Sequence, residues 1–108
     1  MVFVVNLGDS GYVFETIAVF GMLRDKDIAG VVRALAPRIT RWHLATLPGP
    51  RGADASELSE ILAKENIKSP VSKYPTVAAA LAAARKEAAE NDKIIVFGSF
   101  LTVADAYG

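Results

Sequence analysis

Three loops of the sequence place glycine beside a cationic or hydroxyl side chain, and each loop follows a strand-like apolar segment. The side chains are Lys26 in GMLRDKD, Arg51 in PGPRG and Ser99 in GSF. Glycine lets backbone N–H groups approach a ligand closely, and lysine and arginine suit a carboxylate or a phosphate. These residue types therefore predict the binding of a small anion.

The first of these loops contains four consecutive charges, Arg24 to Asp27, between an apolar run and a helix-like segment. One interpretation is an anion-binding rim, because ligands of open α/β sheets lie outside the carboxyl ends of the strands and helix N-termini favour anions. The other interpretation is a solvated helix start whose charges pair locally. The sequence leaves both open, although three such loops at one predicted sheet edge strengthen the first.

Strand-like and helix-like segments alternate along most of the chain. Strands are predicted at Val2–Asn6, Tyr12–Met22 (strongest from Thr16 to Phe20), Arg41–Leu47 and Lys93–Phe97, and a short edge strand or a loop at Lys68–Tyr74. Helices are predicted from Asp27 to about Pro37, from Asp54 or Ser56 onward, over Thr76–Glu90, and from Thr102 to Tyr107. This alternation predicts an α/β fold of Rossmann-like, three-layer α/β/α type, with a mostly parallel sheet covered on both faces.

The composition is that of one modest globular domain. The 108 residues are 52% hydrophobic and 22% charged, with 12 basic and 12 acidic side chains and no cysteine. Zero net charge gives no electrostatic footprint for nucleic acid or an anionic membrane, and no apolar run approaches the roughly 20 residues of a transmembrane helix. The lack of cysteine excludes a disulfide scaffold. We therefore expect a cytoplasmic domain with no nucleic-acid or membrane partner.

Other chemical motifs are weaker or missing. His43 lies in the middle of a predicted strand beside Trp42, where a packed histidine is commoner than a catalytic one. No second histidine and no cysteine offers metal-ligand spacing, so we predict neither a metal site nor a catalytic residue in this chain. GSF is not the GxSxG of a nucleophile elbow, and the sequence contains no GxxxxGK[ST] phosphate-binding loop.

Three longer stretches, taken in order, resemble one known family. They are VFGMLRDKDIAGVVRAL, WHLATLPGPRGADASEL and VFGSFLTVADAY, which lie between about Thr16 and Tyr107. They resemble the C-terminal domain of bifunctional dihydrofolate synthase/folylpolyglutamate synthase, in the Mur ligase superfamily. The resemblance implies part of an ATP-dependent ligase that activates a carboxylate as an acyl phosphate, which the amine of glutamate attacks to form an amide. It also implies that ATP and magnesium belong to a central domain, so no cofactor is expected in this chain.

The resemblance assigns roles to residues of the three loops. Lys26 matches a lysine that pairs with the amino-acid carboxylate, and Arg51 matches an arginine that also holds this substrate. Ser99 matches a serine that hydrogen-bonds a substrate carboxylate. Asp25 and Asp27 are expected to orient Lys26 and to cap the helix. The implied partners of the parent enzyme are glutamate and a folate substrate.

The N-terminal segment departs from the family. Residues 1–14 contain neither the Asp-x-Ala-His-Asn-Pro motif that ends the family's first strand nor room for the helix that follows it. We therefore divide the chain into a non-family strand and turn, 1–14, and a Mur-ligase-type domain, 15–108. We expect a detached ligase domain that is inactive alone. The alternative is a non-enzymatic or engineered domain that folds and self-associates around a vestigial rim.

The spacing of the first two predicted strands suggests how they pair. Only Leu7–Gly11 separate Val2–Asn6 from the segment that starts near Tyr12, which suits a hairpin and not a parallel crossover. We expect Val2–Asn6 to pair antiparallel with that segment, or else with another chain. The missing helix would leave sheet surface bare, and about 400 Å² of it represents about 10 kcal/mol of unrealised burial. We therefore expect a homodimer built from the N-terminal segment and the uncovered sheet face.

Overall fold

In the computed structural model, a five-stranded sheet forms the centre of the molecule. The structure describes residues 2–6, 15–89 and 92–98. Its elements are β1 (Val2–Asn6), β2 (Thr16–Gly21), α1 (Ile28–Leu35) followed by a 3₁₀ turn (Ala36–Arg38), β3 (Arg41–Ala45), α2 (Ala55–Lys64), β4 (Val71–Tyr74), α3 (Val77–Glu87) and β5 (Lys93–Gly98). The strand order is β1-β5-β2-β3-β4, in which β5, β2, β3 and β4 run parallel and β1 runs antiparallel to β5.

Successive residues of the central strands bury apolar side chains on opposite faces of the sheet. In β2, Ile17 and Val19 pack with the side chains of α3, whereas Ala18 and Phe20 pack with those of α1 and α2. Strands of a parallel sheet are apolar on both sides because the crossover helices cover both faces. The predicted three-layer α/β/α fold with a mostly parallel sheet is confirmed.

Side-chain caps set where the three helices begin. Asp27 caps α1 and Thr76 caps α3, each through a side-chain oxygen that accepts a backbone N–H of the first turn. Asp54 and Glu57 form a reciprocal capping box at α2, so this helix starts after Asp54. The caps satisfy N–H groups that have no partner within the helix, and they fix α1 and α2 at the ends of the preceding loops.

Some predicted elements differ in extent from the observed ones. β3 ends at Ala45 and not at Leu47. The next residue, Thr46, accepts a hydrogen bond at its hydroxyl oxygen from the Ala55 N–H, the first of α2. The ambiguous segment Lys68–Tyr74 contains the edge strand β4. The helix predicted from Thr102 to Tyr107 lies outside the described residues.

The predicted partner of the N-terminal strand is wrong, although its antiparallel orientation is confirmed. β1 pairs with β5, from Val2 opposite Phe97 to Asn6 opposite Lys93, and not with the segment that starts near Tyr12. The short separation between Val2–Asn6 and the next strand-like segment favours a hairpin. However, both edges of β2 are already paired in parallel with β3 and β5, so β2 has no edge left for a third strand.

Candidate functional site

The loops that follow β2 and β3 contact one another and form a rim at the carboxyl end of the sheet. The rim consists of residues 21–27 and 48–52. Leu23 and Gly52 make an antiparallel bridge between the two loops. The Arg24 N–H donates to the Arg51 carbonyl oxygen at 2.7 Å. Backbone pairing therefore fixes the loops that carry Lys26 and Arg51 relative to one another.

Two glycines allow the second loop to take this path. Gly49 has a φ of 89°, a conformation that residues with a side chain rarely adopt. A Cβ atom on Gly52 would lie 2.2 Å from the Leu47 carbonyl oxygen, which is too close for any other residue. Gly49 and Gly52 are therefore required by the backbone conformation of this loop.

Arg24 joins the two loops to the N-terminus of α2. Its Nε donates to Glu57 Oε2 at 2.9 Å, and its Nη2 donates to Glu57 Oε1 at 2.6 Å. Its Nη1 donates to the Pro50 carbonyl oxygen at 2.6 Å. The hydrogen bond from Arg24 is also the main reason that the pKa of Glu57 lies below its usual value. We call this arrangement of Arg24, Glu57 and the Pro50 carbonyl the Arg24 clamp.

Arg51 is paired within the rim. Its Nη2 donates to Asp25 Oδ2, so a carboxylate of the first loop meets the guanidinium of the second. Both side chains are more than half exposed. The Arg51 hydrogen bond, followed by smaller charge effects, holds the pKa of Asp25 below its usual value despite some desolvation. Asp25 is therefore ionised at neutral pH and forms an ion pair with the Arg51 guanidinium.

Lys26 and Asp27 complete the charged run. Asp27 Oδ1 accepts a hydrogen bond from the Gly30 N–H at 3.1 Å, which confirms the predicted cap of α1. Lys26 is exposed, and its ammonium makes no hydrogen bond or ion pair with another residue of the described ranges. Its charge nevertheless contributes to lowering the pKa of Asp25, so the two side chains share one electrostatic environment.

The third predicted rim residue, Ser99, lies outside the described residues. Strand β5, which leads to it, ends beside β2 at the Gly21–Gly98 pair. The structure thus brings the Lys26 and Arg51 loops together, while the place of Ser99 in the rim stays a prediction.

The contact between Arg24 and Glu57 is not predictable from the sequence. Arg24 stood within the charged run without a partner, because nothing in one sequence pairs it with a residue far along the chain. A signal for Glu57 did exist, since Asp54 and Glu57 have the spacing of a capping box ahead of an apolar helix.

Two other features of the described residues lie apart from the rim. A cleft of about 330 Å³ lies beside the ends of β3 and β4, and neither Lys26 nor Arg51 lines it. Its lining is Thr46, Asp54, Ala55, Ser56, Lys73, Tyr74 and Pro75. Within the described ranges, no three His, Asp or Glu side chains are arranged to hold a metal ion, and no helix is long and apolar enough to span a membrane.

Comparison with known families agrees with the fold and the loop motifs. The model of the Mur ligase, glutamate ligase domain, matches residues 6–100. The chain belongs to this family. The match begins inside segment 1–14, in which the sequence shows no family motif, so the proposed boundary at residue 15 stays a prediction.

The curated relatives of this chain are enzymes of one kind within the family. The dihydrofolate synthase/folylpolyglutamate synthase of Haemophilus influenzae is 44% identical over 91 residues, which are 84% of this chain and 21% of that protein. The Escherichia coli protein of the same name is 47% identical over 90 residues, or 83% of this chain and 20% of that protein. The chain thus spans about a fifth of the length of these relatives.

Solved structures of such enzymes share the fold of this Mur ligase domain. Escherichia coli FolC in complex with DHPP and ADP is 40% identical with a TM-score of 0.78, covering 88% of this chain and 22% of that one. The Yersinia pestis bifunctional folylpolyglutamate synthase/dihydrofolate synthase with Mn, AMPPNP and L-glutamate bound is 38% identical with a TM-score of 0.70, covering 83% and 21%. The family predicted from the loop motifs is confirmed.

Proposed function

We propose that the rim binds the carboxylates of L-glutamate and presents its amine for amide formation in a folylpolyglutamate synthase-type ligase. The observation that carries this proposal is the exposed ammonium of Lys26, held by backbone pairing next to the loop of Arg51. Two cations on adjoining loops suit a substrate with two carboxylates. Ser99 is assigned by motif to the same substrate.

The part of the reaction assigned to these residues is binding and orientation. An amine attacks an activated carboxyl carbon only when the two are held at close range, and fixing both carboxylates of glutamate limits where its amine can lie. The donor set of the described residues does not fit magnesium, and the sequence has no P-loop for ATP. We therefore assign no phosphoryl chemistry to this chain, and we expect no ligase turnover from it alone. A folate- and glutamate-dependent hydrolysis of ATP by the purified chain would contradict this expectation.

A second candidate is a non-enzymatic domain that folds and self-associates around a vestigial rim. The observation that favours it is the internal pairing of Arg51 with Asp25 and of Arg24 with Glu57, which leaves less positive charge for a ligand. The two candidates differ in whether the chain binds L-glutamate.

Titration of the full chain with L-glutamate, followed by NMR of the backbone amides, tests the proposal. We expect saturable shifts at residues 21–27 and 48–52. Replacing Lys26 or Arg51 by alanine should weaken binding about tenfold or more, because each removes a charge-assisted hydrogen bond. Lys64→Ala, at an exposed lysine in the last turn of α2, is the matched control and should bind like the unchanged chain. The absence of binding at millimolar glutamate would favour the vestigial rim.

A further inference from the structure

The Asp25–Arg51 pair places a carboxylate of the chain itself on a cation of the rim. Arg51 Nη2 donates to Asp25 Oδ2 across the two loops, and Asp25 immediately precedes Lys26. A carboxylate on arginine is the same contact that the proposed function gives to the ligand. Asp25 thus resembles a ligand carboxylate in its chemistry and in its place.

The pair is not needed to hold the loops together. The Leu23–Gly52 bridge and the Arg24–Arg51 backbone hydrogen bond already join them. The Arg24 clamp adds hydrogen bonds to Glu57 and to the Pro50 carbonyl. Exposed ion pairs contribute little to stability. The Asp25–Arg51 pair therefore adds little to the stability of the rim, and a ligand carboxylate can replace Asp25 without separating the loops.

We propose that Asp25 is an internal competitor of the rim, which holds Arg51 until a ligand carboxylate displaces it. This inference rests on the proposed function, since it requires Arg51 to bind ligand. An anion with one carboxylate only exchanges one carboxylate for another at Arg51. A ligand such as L-glutamate exchanges one carboxylate at Arg51 and gains a second contact at Lys26. Only a ligand with a second anionic group therefore gains a net contact when it binds the rim.

The opposite role for Asp25 is to support ligand binding by orienting Lys26, as expected from the sequence. The two roles predict opposite signs. If Asp25 competes with the ligand, neutralising it strengthens binding; if it supports Lys26, neutralising it weakens binding.

The test measures the dissociation constants of L-glutamate and acetate by NMR titration of the full chain and of Asp25→Asn. We expect Asp25→Asn to bind glutamate up to about fivefold more tightly, the range set by an exposed ion pair, and to gain a similar factor for acetate, because both ligands displace the same carboxylate from Arg51. Glu60→Gln on the exposed side of α2 is the control for net charge and should leave both constants unchanged.

A double substitution separates release of Arg51 from a general charge effect. In an Arg51→Ala background, Asp25→Asn should bring no gain, because the cation that it releases is gone. An equal gain in that background, or weaker or unchanged binding in Asp25→Asn alone, overturns the role of Asp25 while leaving the proposed function intact. If Arg51→Ala binds glutamate like the unchanged chain, or if neither the unchanged chain nor Asp25→Asn binds it, both proposals fall.

Discussion

The four consecutive charges of the first rim loop have four different environments. Arg24 reaches α2, Asp25 pairs with Arg51, and Asp27 caps α1. Lys26 is the one residue of this run whose side chain makes no hydrogen bond or ion pair with another described residue. Both interpretations of the sequence thus apply, because most of these charges pair locally and one remains available to an anion.

His43 is a second residue whose environment sets its chemistry. It is wholly buried in β3, with its ring stacked on Tyr74 at a centroid distance of 5.1 Å. Its Nε2 lies 2.9 Å from Glu87 Oε2 but is not aligned for a hydrogen bond. Burial is the main cause that lowers the pKa of His43. The Glu87 charge raises this pKa, and the Arg41 charge lowers it further. His43 is therefore neutral in the folded protein at pH 7.

The folded protein should lose stability as the pH falls below about 6.5, the ordinary pKa of histidine. In this range the unfolded chain binds a proton at His43 that the folded chain does not, so the free energy of unfolding falls with pH. The slope is at most about 1.4 kcal/mol per pH unit and persists down to the folded-state pKa. Urea unfolding of the wild type and His43→Phe between pH 7.5 and 5.5 measures it.

His43→Phe should remove this part of the pH dependence while keeping an aromatic ring against Tyr74. Glu87→Gln should extend the dependence to lower pH, because the Glu87 charge raises the pKa of His43. Equal slopes in the wild type and His43→Phe would contradict the assignment.

At the scale of elements, the Arg24 clamp connects the loop after β2, the loop after β3 and the N-terminus of α2. Glu57 serves both the capping box of α2 and the guanidinium of Arg24. The start of α2 is therefore tied to the position of both rim loops. Local stability of such a region depends on contacts of this kind more than on the global free energy of unfolding.

Arg24→Ala should loosen the rim without unfolding the domain. The Ala53 N–H donates to the Met22 carbonyl oxygen at 3.0 Å beside the bridge between the loops, and its hydrogen exchange should accelerate on the order of tenfold. Arg33→Ala is the matched control. It breaks the exposed Arg33–Glu65 pair between α1 and α2, in which Nη1 and Oε1 are 3.0 Å apart, and this pair does not involve the rim. Equal exchange of Ala53 in both variants would show that the clamp does not order the loops.

At the scale of the whole molecule, the two faces of the sheet are covered unequally. Ile94 and Val96 of β5 are fully buried on the α3 face, whereas Ile95 and Phe97 on the other face are only partly buried. Among the described helices of that layer, α2 packs on β3 and β4, and α1 packs on α2. The apolar side chains of β5 on this face are therefore candidates for contact with a second copy.

We predict a homodimer that buries this face of β5 about a two-fold axis. Sedimentation at micromolar concentration should give twice the chain mass. Ile95→Glu should weaken the dimer about tenfold or more, because it buries an unpaired charge. Val71→Glu on the opposite edge strand, where Val71 is already 36% exposed, is the control and should leave the dimer intact. A monomeric wild type at all concentrations would contradict the prediction.

The sequence by itself determined the features that depend on local chemistry. Apolar runs predict strands, and the spacing of Ile28, Val32 and Leu35 predicts a helix after the Asp27 cap. The alternation of these segments was sufficient for the α/β fold, and the three loop motifs with their flanking residues were sufficient for the family. Each of these signals depends on residues that are close together in the sequence, so a single sequence is enough to recognise it.

Only the tertiary structure decided which distant groups meet. β1 pairs with β5 because β2 has no open edge, which loop length could not indicate. Arg24 meets Glu57, and Asp25 meets Arg51, because parallel strands bring their carboxyl-end loops to one edge of the sheet. A charge in a sequence has many possible partners of opposite sign, and the fold selects among them by distance.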